Sequence, residues 1–87
     1  MMTDKIKKDF LTLFGERIKE LRTIKNLSYR KFAQNCDIDY SDISKIEKGK
    51  KDIQLTTMLQ LATGLDLSIK ELFDFEFDLA SYRIDDI

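Results

Sequence analysis

The sequence predicts an all-α domain of five helices, and three observations carry that prediction. Apolar residues at Ile6, Phe10, Phe14, Ile18 and Leu21 recur at intervals of four, four, four and three, one continuous helical stripe. Two shorter patterns, Phe32-Ala33-Cys36 and Ile43-Ile46, flank Ile38 and read as two short helices joined by a tight turn. Start and stop signals punctuate the chain at the right places. Ser28, Asp39 and Ser68 stand where N-caps belong, Asn26 and Gly49 where left-handed residues end helices, and proline is absent.

The first helix spans residues 4–25, with Lys7, Lys8, Glu16, Lys19 and Glu20 as a mostly solvated face. Gly15 inside it costs about 1 kcal/mol relative to Ala, which predicts close approach by another helix. Residues 29–48 form the helix pair, with Tyr40, Ser41, Asp42, Ser44, Lys45 and Lys48 left on the outer side of the second member. After the loop Lys50-Lys51-Asp52, a fourth helix runs from about Gln54 to Leu65 on a stripe of Leu55, Met58, Leu59, Ala62 and Leu65. Gly64 is a candidate left-handed stop. Ser68-Ile69-Lys70-Glu71 is a capping-box pattern opening a fifth helix, with Ile69, Leu72 and Phe73 inward. In the tail, Phe73, Phe75, Phe77 and Leu79 alternate with Asp74, Glu76 and Asp78, the period of a strand. Two outcomes stay open: the phenylalanines cap the core, or the segment pairs with its copy on a second chain.

With 87 residues the chain has room for one modest core. Histidine is absent and cysteine occurs once, which removes the usual general base and leaves no zinc ligand set, so no enzyme, metal or cofactor is expected. Cys36, on a packed face, reads as a small hydrophobe. No apolar run approaches a membrane span and MMTDKIKKDF has no signal-peptide core, so the expected location is the cytoplasm. The net charge of −1 conceals an asymmetry. Residues 1–70 carry 14 Lys and Arg against 10 Asp and Glu, whereas residues 71–87 carry one Arg against six acids. The helix pair thus lies in a modestly basic unit followed by an acidic tail.

The stretch from Tyr29 to Lys48 resembles the helix-turn-helix of the Cro and phage-repressor family, also called XRE-type. The likeness rests on Phe32, Ala33, Cys36, Ile38, Ile43 and Ile46, on the run Ile43-Ser44-Lys45-Ile46-Glu47-Lys48-Gly49-Lys50, and extends from about Phe14 to Phe73. Asp37 stands where the family usually has Gly, and Tyr29 where it has Gln. The resemblance implies a lambda-repressor-like DNA-binding domain over residues 1–73, with residues 74–87 as an acidic, Phe-rich tail. It puts base contacts on Tyr40, Ser41 and Lys45, with Asp42 and Ser44 at the rim. Phosphate contacts fall on Tyr29, Arg30, Lys48, Lys50 and Lys51. It also implies an ion pair between Arg22 on the first helix and Glu47 just before Gly49, with two parallel hydrogen bonds. It puts the left-handed stop of the fourth helix on Asp66.

The expected function is sequence-specific binding of double-stranded DNA by a homodimer, as a transcriptional regulator. A repressor, or a controller of the kind found beside restriction–modification genes, fits best. The rival is an antitoxin or other interaction protein that uses residues 73–87 to hold a protein partner, with DNA binding autoregulatory or lost.

Overall fold

A computed structural model describes residues 3–82 and contains, among them, five α-helices and a terminal 3-10 turn. These are α1 (Asp4–Ile24), α2 (Tyr29–Cys36), α3 (Tyr40–Glu47), α4 (Thr57–Leu65) and α5 (Ile69–Leu72), followed by the turn Leu79–Tyr82. Phe14, Ile18 and Leu21 of α1 meet Phe32, Ala33 and Cys36 of α2, Ile43 and Ile46 of α3, Leu61, Ala62 and Leu65 of α4, and Leu72 of α5 in one core. The stripe read along the first helix is therefore the side it buries.

Each helix ends for an identifiable reason. Thr3 caps α1, Ser28 caps α2 and Asp39 caps α3, each accepting a backbone N–H of the following turn. Asn26, Asp37 and Asp66 take left-handed backbone at φ 58°, 57° and 57°, so the chain reverses three times on side chains that tolerate this region better than most. Asp66, and not Gly64, terminates α4. The capping box at Ser68 and Glu71 is formed in both directions. Arg17 of α1 donates from Nε and Nη2 to the Glu71 carbonyl at 3.3 and 3.0 Å, which holds the far end of so short a helix.

Two glycines set interhelical distances. A Cβ on Gly15 would stand 2.7 Å from the Glu47 carbonyl oxygen and closer still to that of Ile46, so α1 lies directly on the end of α3. A Cβ on Gly64 would collide with Cys36 Sγ, so α4 lies as tightly on α2. Gln60 Nε2 then reaches the Asp37 carbonyl at 3.1 Å, satisfying a group that the end of α2 leaves open.

The structure corrects four expectations. The fourth helix begins at Thr57, because Gln54–Thr56 form a turn that leads into it. Its buried side is Leu61, Ala62, Gly64 and Leu65, while Leu55 and Leu59 are exposed at 77% and 57%. Ile69 is 38% exposed, and Leu72 alone of α5 is fully buried. The tail forms no strand within the described residues. Instead it folds back on α1: Phe73 stacks on Phe14 with centroids 5.3 Å apart, and Phe77 meets Phe10 edge-on at 5.2 Å. Tyr82 Oη donates to Asp9 Oδ2 at 2.8 Å, and that bond together with Lys5 holds the Asp9 carboxyl below its usual range. Phe73 and Phe77 thus pack on α1 of the same chain, as the capping outcome expects.

Candidate nucleic-acid interface

The helix-turn-helix is built from α2, the turn Asp37–Asp39 and α3. Ile38 packs against the core from within the turn, and Ile43 and Ile46 bury the back of α3 almost completely. With that side fixed, helical geometry decides the other. Tyr40, Ser41, Lys45 and Lys48 are exposed along the front, and Asp42 and Ser44 are half-buried at its edge. All of the side chains that sequence reasoning put on this front are thus on one face.

Glu47 is the one charged residue of the described chain that the fold buries, and it has its cation. Arg22 Nε donates to Glu47 Oε2 at 2.7 Å and Nη2 to Oε1 at 3.2 Å, the fork-to-fork geometry expected of this pair. Nη1 donates to the Leu27 carbonyl at 2.9 Å, and the guanidinium lies over the Tyr29 ring at 4.2 Å. Glu47 raises the pKa of Arg22, and burial, followed by the nearby Glu47 carboxylate, raises that of Tyr29. The consequence is mechanical: α1, the start of α2 and the end of α3 are locked at one node. A rigid node here keeps the front of α3 at a fixed angle.

Around that front the cations are unevenly available. Arg30 is exposed, with its guanidinium 6.0 Å from the Tyr40 ring, and Tyr40 meets Tyr29 edge-on at 6.1 Å. Lys45, Lys48 and Lys50 are exposed. Lys51 is not free: its Nζ lies 3.0 Å from Asp42 Oδ1. Tyr29 is half-buried between Arg22 and Tyr40 and acts first as a packing residue. Sequence reasoning missed both engagements, since a pair nine residues apart across a loop leaves no periodic trace.

A family model described as a helix-turn-helix domain matches residues 15–76. The chain belongs to the XRE-type helix-turn-helix family. Its relatives include the control protein C.MunI of Mycoplasma sp, 36% identical over 66 residues that make up 75% of this chain and 89% of that protein. The control protein C.BamHI of Bacillus amyloliquefaciens is 34% identical over 64 residues, 72% of this chain and 79% of its own length. Among solved structures, the restriction-modification controller protein C.AhdI from Aeromonas hydrophila superposes with a TM-score of 0.73 at 40% identity, covering 75% of this chain and 98% of its own. XRE-type domains are DNA-binding transcription regulators, and the present one keeps that fold from α1 to α5. The matched region runs from Gly15 to residue 76 and so leaves out the first turns of α1 and the segment that follows.

Proposed function

We propose that this XRE-type domain acts as a homodimer that enters the major groove with α3 and regulates transcription by occupying a short imperfect palindrome, most simply as a repressor. The similarity to restriction–modification control proteins supports the further reading that it controls genes of such a system. One observation carries the proposal: the polar front of α3 is open to solvent while its back is fully buried and its end is clamped by Arg22 and Glu47. A helix held in that way can present side chains to base edges without rearranging.

In this reading Tyr40, Ser41 and Lys45 read bases, with Lys45 donating to guanine O6 and N7 and the Tyr40 ring meeting a thymine methyl. Arg30, Lys48 and Lys50 grip phosphates on either side. A few base contacts over one half-site discriminate poorly, which is the reason for a dimer. Leu55, in the turn before α4, and Leu59, within it, are both exposed and offer an apolar surface for a two-fold contact.

Selection from random-sequence DNA followed by mobility-shift titration tests the proposal. Enrichment of a two-fold motif with half-sites about one helical turn apart is the expected result. Affinity that stays flat between low and moderate salt would contradict the phosphate contacts. Sedimentation of a monomer both free and on DNA would contradict the dimer.

A further inference from the structure

The surface that must meet DNA carries more acid than such a surface tolerates. Asp37, Asp39, Asp42 and Asp52 border a cleft of about 460 Å³ between α3, the following loop and the start of α4. Unpaired, they would repel phosphate at the very place where α3 approaches it. Asp39 is occupied at the N-terminus of α3, accepting from the N–H and hydroxyl of Ser41 at 3.3 and 3.4 Å. Asp52 is met by Lys7 at 3.5 Å, a contact between two well-exposed side chains. Asp42 is met by Lys51 at 3.0 Å, and here both side chains are more enclosed, 33% and 41% exposed.

The last pair differs in its place, because its carboxylate belongs to the body of α3. Lys51 takes Oδ1 of Asp42, and Oδ2 has no protein partner among the described residues. Asp42 is the third residue of α3, half-buried at the edge of the front beside the exposed Ser41. A carboxylate there, its charge offset by a fixed ammonium, is an acceptor with one free oxygen. In the major groove the amino groups of cytosine (N4) and adenine (N6) can donate to such an acceptor. The N7 acceptor beside adenine N6 opposes a carboxylate, as do the acceptor edges of guanine and the O4 of thymine, which leaves cytosine as the base that suits it.

We propose that Lys51 is a positioning residue: it holds the Asp42 carboxylate to receive a cytosine amino group and so sets the base preference at one step of the site, instead of gripping the backbone. The proposal rests on the DNA reading given above and adds to it a specificity pair. A partly exposed ion pair contributes little to stability, so its removal leaves the fold available for measurement.

The test uses the duplex selected by the unaltered chain and a set of duplexes with each base pair replaced in turn. Affinities are measured for the unaltered chain, K51M, D42N and D42N/K51M. K51M should weaken binding to the selected duplex about tenfold, in the range of one lost base contact. It should also flatten the preference at the one position that D42N flattens. The double variant should bind within about twofold of D42N alone, because Lys51 then has nothing to hold. Equal weakening on every duplex, with the slope of log K against log salt reduced by about one, would overturn the proposal and return Lys51 to the phosphates. If the unaltered chain enriches no sequence, the DNA reading itself falls, and this pair falls with it.

Discussion

Replacing Arg22 by Met removes the cation from a carboxylate whose side chain is 1% exposed. Four contacts go at once: the bonds to Glu47 at 2.7 and 3.2 Å, the bond to the Leu27 carbonyl at 2.9 Å, and the stacking on Tyr29 at 4.2 Å. The contacts themselves matter less than what remains, a charge in the core with no counter-ion. Breaking such a pair from one side costs about 3–5 kcal/mol. A domain this small has total stability towards the low end of roughly 5–15 kcal/mol. R22M should therefore be close to unfolded at 37 °C, with a melting point lowered by about 4–8 °C for each kcal/mol lost. Urea denaturation followed by far-UV circular dichroism measures it. E47Q, which keeps the shape and some of the hydrogen bonds, should lose only about 1–3 kcal/mol. R22M/E47L, which removes both charges, should recover much of the loss. If R22M loses less than about 1 kcal/mol, the pair is energetically a surface pair and the node described at the end of α3 is not one. A double variant as unstable as R22M would refute the uncompensated-charge argument specifically.

Other perturbations have equally definite outcomes. G15A gains about 1 kcal/mol of helix propensity but places a methyl against the carbonyls of Ile46 and Glu47, and should lose about 1–3 kcal/mol net by urea denaturation. Burial pushes the Cys36 thiol up to about 12, so a thiol reagent at pH 8 should react with the native protein only as fast as it unfolds. Because the folded pKa of Cys36 lies above the unfolded value of 9.0, its contribution to stability is complete below pH 9 and is lost as pH rises towards 12. C36A should accordingly show a shallower decline over that window. F77A removes the edge contact with Phe10 and the tilted contact with Tyr82 and should cost about 1–2 kcal/mol while leaving DNA affinity unchanged.

Much of the motif is legible in the residues because local rules decide it. Caps at Ser28 and Asp39 and left-handed stops at Asn26 and Asp37 are choices that neighbouring residues make among themselves. The Arg22–Glu47 pair came from the family resemblance, since 25 residues separate its members. The expected α4 stripe holds at Ala62 and Leu65, while Leu55 and Leu59 are exposed for a physical reason. The run of Leu, Met and Ala supports two stripes, one through Leu55 and Leu59 and one through Leu61 and Leu65. The choice between them is made by Gly64 seating on Cys36, a tertiary contact. In the tail the alternation was real: Phe73, Phe75 and Phe77 are half-buried, and Asp74, Glu76 and Asp78 are exposed. It reports an irregular segment laid along a helix, because a strand needs a neighbour and α1 supplies packing instead. The Lys51–Asp42 bridge depends on the return path of a loop, which periodicity does not encode.

The bond from Tyr82 to Asp9 joins residues 73 positions apart. During synthesis the helices from α1 to α5 leave the ribosome before the segment that seals the first turns of α1, and loop closure over that distance is slow compared with local helix contacts. Each newly made chain therefore passes through an interval in which the motif can assemble while Phe10 still faces water.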